Sequence, residues 1–292
     1  KTCKVGGMPE ITRLLKDRAG ETGVRLDILE KDYALSYLLA AVAESPGLGE
    51  RLVLKGGTAL RRLYYRDYRF SEDLDFSTRS TGAISDLEQR LNEAIRHMNE
   101  LLYERGPFQV QLEALRLKEP HPFDQAAFLV RVQFPSQRQP LCRLKVEVTV
   151  DEPVLVPTES RLILHDYNEP LTVAVQTYTL SEIVAEKLRA LLQSQARLEA
   201  RGWGASRVCR DYFDLWSILR RERLAVPIPG LVERKCAVRN IEFKSPADFL
   251  AMPLQNIARA EWATQILPFV PNAPPSEQIL SEVETLIRRL WE

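Results

Sequence analysis

Residues 52–77 read LVLKGGTALRRLYYRDYRFSEDLDFS, and the order of elements in this stretch decides the fold. An apolar run over 51–55 predicts a short strand, Gly56-Gly57 a turn, and 58–65 a helix. Glycines at such a turn let the backbone approach a ligand closely, and a helix start offers unpaired amides to an anion. A glycine pair after a strand also occurs as a plain turn. Sixteen residues beyond Gly57 comes Asp73-Leu74-Asp75-Phe76, whose alternation predicts a half-buried strand over 73–77. Residues two apart on a strand share a face, so Asp73 and Asp75 project together while Leu74 and Phe76 face the core. Adjacent carboxylates repel unless a cation or shared proton relieves them, and such oxygen donors suit Mg²⁺. The plain alternative is a solvated polar edge.

Further along, residues 143–150 alternate strictly. Leu144, Val146, Val148 and Val150 take one face; Arg143, Lys145, Glu147 and Thr149 take the other. Glu147 would join the two aspartates if the strands are neighbours, or it could simply pair with Lys145. Three carboxylates from two strands beside a glycine turn make a coherent two-metal phosphoryl-transfer site.

Around this centre, helices are expected near 11–20, 27–44 and 84–104, and strands at 108–117, 126–134 and 141–150. A Pro-punctuated region with short strands follows over 151–175. Beyond about 178 the pattern turns helical, with Ser181 as N-cap of a helix to 198, then helices at 207–219 and 276–291. The proline-rich 225–275 reads as partly irregular. The expected fold class is α/β (α+β). An N-terminal domain with a mixed sheet spans 1–175, and a helical C-terminal domain spans 176–292.

Together, the motifs carry a resemblance. Lys55-Gly56-Gly57-Thr58-Ala59-Leu60, Tyr64 and Arg69-Phe70-Ser71-Glu72-Asp73-Leu74-Asp75-Phe76 resemble the AbiEii family, or MenT-type toxins, within the nucleotidyltransferase superfamily of DNA polymerase β type. Leu29-Glu30-Lys31-Asp32-Tyr33, Glu186-Lys187-Leu188 and Arg210-Asp211-Tyr212-Phe213-Asp214-Leu215 fit the same family, so the match spans roughly 10–220 in order. Two features depart from the wider superfamily: the longer gap between Gly57 and Asp73, and Thr58 where many members have Ser or Gly. The resemblance implies a nucleotidyltransferase-fold domain followed by a helical domain. It also implies Mg²⁺ and a nucleoside triphosphate (NTP) as substrate, a toxin role with a cognate antitoxin, and in some members nucleotide addition to the 3′ end of tRNA. It makes Asp73 and Asp75 metal ligands, with Glu147 a third ligand or a base. Lys187 becomes a phosphate or nucleotide contact, and Gly56, Gly57 and Thr58 the nucleotide-binding turn. Beside these, Asp211 is read as orienting Lys187 or a metal-bound group, and Lys55 as contacting the triphosphate or simply ending the strand. A protein or small-molecule acceptor, or an inert RNA- or nucleotide-binding regulator, are the alternatives.

Composition fits a globular chain: 292 residues, 45% hydrophobic and 27% charged, with 40 basic residues balancing 40 acidic ones. This excludes a bulk polycation, collagen and wholesale disorder. Two local basic clusters nevertheless stand out, at 51–69 and 187–223, the first interleaved with Tyr64, Tyr65 and Tyr68. They suit docking of an RNA. Lys187 and the Arg207/Asp211 and Arg210/Asp214 spacings also fit ordinary helix-surface pairs. Cys3, Cys142, Cys209 and Cys236 show no Cys-x-x-Cys spacing, so free thiols in a cytoplasmic protein are expected. The most apolar run, 34–43, is about half the roughly 20 residues needed to span a bilayer, so no membrane partner is expected. The order of regions that marks a secretory signal is not seen at the start.

Overall fold

A computed structural model describes residues 10–79, 86–115, 125–150, 152–205 and 207–292. The chain divides into two compact units, one of residues 1–154 and 158–177, the other of 155–157 and 178–292. In the first unit the elements run α1 (Glu10–Thr22), α2 (Leu26–Glu44), β1 (Leu52–Lys55), α3 (Gly56–Ala59), β2 (Asp73–Thr78), α4 (Leu87–Leu102), β3 (Gln109–Ala114), β4 (Gln125–Gln133), β5 (Cys142–Thr149), β6 (Glu159–Leu162) and β7 (Ala174–Thr177).

The strands form one mixed sheet in the order β3-β4-β5-β2-β1-β7-β6. Strands β2 and β5 run parallel, as do β1 and β7; the other neighbours are antiparallel. The mixed sheet and the antiparallel β3-β4-β5 run match the sequence expectation. So does the facing of β2: Leu74 and Phe76 are buried, while Asp73 and Asp75 are only partly covered. Helix α2 packs on β2, β5 and β7. Apart from Lys31 it is buried from Ile28 to Val42, so its apolar run is a core helix. Among the described residues no helix is long and apolar enough to cross a membrane.

The segment after β1 departs from the expected single helix. One α-helical turn, α3, passes into a π-helical turn at Leu60–Tyr64, closed by the Tyr65 amide on the Leu60 carbonyl. Arg61 and Arg62 lie inside the protein. Arg62 pairs with Asp32 of α2 and donates to its carbonyl at 2.9 Å and to that of Leu164 at 3.1 Å. Tyr167 donates to the other Asp32 oxygen at 2.7 Å, and Arg61 approaches the same carboxylate at 3.5 Å. The first basic cluster is therefore no open RNA-facing surface: Lys55, Arg61, Arg62 and Arg69 are all buried. Nor do its tyrosines form an open stack. Tyr68 is buried, and Tyr64 lies under Arg161 with its hydroxyl on Glu159.

The second unit is helical: α5 (Leu180–Arg201), α6 (Val208–Arg221), α7 (Ile228–Val238), α8 (Met252–Gln265) and α9 (Ser276–Arg289). Thr179, not Ser181, caps α5, taking the Glu182 amide; Ser181 instead accepts from the Val226 amide. The expected irregular stretch holds α7 and α8, each with proline in its first turn, where the missing N–H costs nothing. Glu182 is fully buried. It pairs with Lys235 at 2.8 Å and accepts the Leu155 and Val156 amides at 2.7 and 3.0 Å. Cys142, Cys209 and Cys236 are free and buried; Cys3 and His121 lie outside the described residues.

Two stability measurements follow. Asp32→Ala strands the buried Arg62 guanidinium and should cost about 3–5 kcal/mol in urea unfolding. Glu169 accepts from Tyr33 and Tyr37 at 3.0 and 2.5 Å. Burial alone would raise its carboxyl, but His165, the two tyrosines and Arg105 outweigh that and hold it below the ordinary 4.5. A depressed carboxyl stabilises the fold above that ordinary value, and the contribution is lost as pH falls through the folded-state value. The melting temperature of the wild type should accordingly drop more steeply below pH 4.5 than that of Glu169→Gln.

Candidate active site

Strand register builds the group of charges in the first unit. Lys55 of β1 lies directly opposite Asp75 of β2, and Asp75 lies beside Glu147 of β5. Directly paired residues point to one face of a sheet, so these three charged groups form a row across it. One step along, Asp73 pairs with Lys145. Each aspartate thus has a lysine paired with it on a neighbouring strand, while Asp75 also has the like-charged Glu147 beside it. Lys145 Nζ binds Glu147 at 2.7 Å, so both sequence readings of Glu147 hold at once: neighbour of Asp75 and partner of Lys145.

The glycine turn is shaped around Asp75. Gly56 has φ +73°, a conformation that disfavours any side chain, and a Cβ there would lie 3.1 Å from Asp75 Oδ2. A Cβ on Gly57 would collide with the guanidinium of Arg69, which is buried against the turn. Thr58 donates its hydroxyl to the Asp73 carbonyl, tying the start of α3 to the start of β2. That hydroxyl therefore fixes the aspartate strand. Lys55 is buried, with Nζ 3.4 Å from Thr149 Oγ1 and 3.4 Å from Glu152 Oε2.

The helical unit holds the second group. Lys187 of α5 binds Asp211 at 3.1 Å and Asp214 at 2.5 Å, both on α6. All three are buried. Burial is the largest influence on the Asp211 carboxyl and raises it; Lys187 opposes and Asp214 adds, leaving it above its usual range. Asp211, the residue expected to orient Lys187, is in contact with it. Asp214 was read only as a partner of Arg210, yet it grips Lys187 as well. Arg210 lies over the Phe269 ring, 4.7 Å from its centroid. The Asp211 and Asp214 positions are three apart, which puts both on one helix face, and that spacing was the available signal. Glu152 had none beyond following β5.

Among the described residues no group of three or more His, Cys, Asp or Glu is gathered tightly enough to hold a metal ion alone. Mg²⁺ is commonly bound by one or two carboxylates together with substrate phosphates rather than by a closed protein cage. The room that Gly56 leaves at the Asp75 carboxylate suits such an open arrangement.

A carboxylate pair on a mixed sheet beside a glycine turn, with a helical unit following, defines a nucleotidyltransferase. The sequence model for the nucleotidyl transferase AbiEii toxin of type IV toxin–antitoxin systems matches residues 37–288, and the chain belongs to that family. The match begins within α2, so it leaves out α1 and the Leu29–Tyr33 stretch, and it ends within α9, beyond the last of the motifs. The fold is similar to that of MenT4, a nucleotidyltransferase toxin from Mycobacterium tuberculosis H37Rv. The TM-score is 0.54 at 21% identity, over 98% of this chain and 99% of that one. No curated protein sequence matches. The chain is thus a nucleotidyltransferase toxin of a type IV toxin–antitoxin system, with an antitoxin as its implied partner.

Two substitutions probe this geometry. Gly56→Ala should cost about 1–2 kcal/mol from its left-handed backbone and lower turnover beyond that by crowding Asp75, read by urea unfolding beside activity. Lys187→Ala should destabilise by about 3–5 kcal/mol, since it leaves two carboxylates buried without their cation.

Proposed function

We propose that the protein transfers a nucleoside monophosphate from an NTP to the 3′ end of a tRNA and so blocks translation in the cytoplasm, with Mg²⁺ as cofactor. Asp73 and Asp75 hold the cation, with Glu147 as the third carboxylate. When bound, Mg²⁺ neutralises phosphate charge and lowers the pKa of the attacking hydroxyl. Gly56 and Gly57 bring the backbone close to the triphosphate. Thr58 keeps β2 in place, and Lys55, steadied by Thr149 and Glu152, sets the positive end of the carboxylate row. Lys187 contacts a phosphate, and Asp211 fixes the direction of its ammonium.

The acceptor's hydroxyl oxygen forms a bond to the α-phosphorus. The bond from that phosphorus to the bridging oxygen of the β-phosphate breaks, and pyrophosphate leaves. Glu147 takes the hydroxyl proton. In this reading residues 1–175 are the catalytic domain, and 176–292 are the helical domain that carries Lys187 and Asp211. The observation that carries the proposal is the Lys55–Asp75–Glu147 register beside Gly56.

The test is transfer of label from each of four α-labelled NTPs, with Mg²⁺ and total tRNA. Label should reach tRNA with the wild type and not with Asp73→Asn/Asp75→Asn. Label on a co-incubated protein instead would overturn the acceptor assignment.

A further inference from the structure

The C-terminal end of α5 carries a surface that the site above does not use. The helix stops at Arg201 because Gly202 takes the left-handed conformation at φ +75°. Trp203 follows with 62% of its surface exposed, then Gly204 at φ +106°. The Arg201 guanidinium lies 5.7 Å from the indole centroid. One turn earlier, Arg197 lays its stem against Gly204 and donates to Ser194 Oγ at 3.2 Å. Arg207 caps α6 on the far side of the turn and is exposed.

Three like charges are close enough to act on one another. Arg197 is shifted downward first by burial and then by Arg207, and Arg201 adds to that shift against the attraction of Asp211. Arg207 in turn acts on Asp211, the partner of Lys187, so the patch adjoins that pair within the same unit. An exposed indole beside several guanidinium groups presents a flat apolar face next to positive charge.

We infer that Trp203, Arg197, Arg201 and Arg207 form a docking surface for single-stranded RNA, an unpaired base stacking on the indole and its flanking phosphates lying on the arginines. An indole can stack only on a base that is not paired, which favours a strand end over a duplex. The arginines are strung from α5 across the turn to α6. That suits a chain of successive phosphates better than one compact triphosphate. The inference deepens the transfer reading by naming where the acceptor strand rests, and it relies on that reading only for the acceptor's role.

The experiment is fluorescence anisotropy of the full chain with a short labelled single-stranded RNA, in EDTA and without NTP, so that no transfer takes place. Trp203 is exposed, so its variants should keep the wild-type melting temperature. Trp203→Ala should weaken binding roughly tenfold and Trp203→Phe less. Arg201→Gln should lower the slope of log affinity against log salt by about 0.7. Asp73→Asn/Asp75→Asn should bind as the wild type does. Equal affinity of Trp203→Ala and wild type overturns the proposal, as does displacement of the RNA by unlabelled NTP, which would make the patch a nucleotide site. If tRNA takes no label yet Trp203 still governs RNA affinity, the surface stands and the transfer reading fails. If tRNA is labelled equally well by Trp203→Ala, the reverse holds.

Discussion

Two carboxylates held side by side on one strand are the constraint around which the first unit is arranged. Asp73 and Asp75 share a face because β2 is extended, and each extra ångström of separation would be cheaper electrostatically than the geometry adopted. The sheet compensates with order. Lys145 stands opposite Asp73 and Lys55 opposite Asp75, so the cations sit in neighbouring strands. Thr58 anchors one end of β2, and the absent side chain of Gly56 leaves space at the Asp75 carboxylate. The apolar face of the same strand, through Leu74 and Phe76, is locked into the core. The polar face therefore cannot rotate away from its task.

Lysine 187 follows the opposite logic. It is one cation between two carboxylates, all three removed from water. Such a group is expensive to assemble and more expensive to break. An ammonium held by two acids is fixed in direction. The same economy of paired charges recurs at Asp32–Arg62 and Glu182–Lys235, where it fastens helices instead.

How far the sequence foretold this depends on whether a partner was local. The facing of Asp73, Asp75 and Glu147 followed from strand alternation, and the mixed sheet from the order of the elements. Lys187 and Asp211 were legible through the family pattern. Arg61 and Arg62 were misread as a basic surface because the group that buries them, Asp32, lies some thirty residues earlier on another helix. The helices α7 and α8 were missed because proline was taken as a breaker; at the first turn it starts a helix. Glu152 and Asp214 carried too little signal on their own, since a lone acid after a strand or on a charged helix is commonplace.

The central claim is that Asp73 and Asp75 form a divalent-cation site. It is tested most directly by Mn²⁺ binding, followed by calorimetry or electron paramagnetic resonance, with a non-hydrolysable NTP present. The wild type should bind the ion, while Asp73→Asn and Asp75→Asn each lose it and retain the wild-type unfolding transition. Unchanged Mn²⁺ affinity in both folded variants would contradict the account.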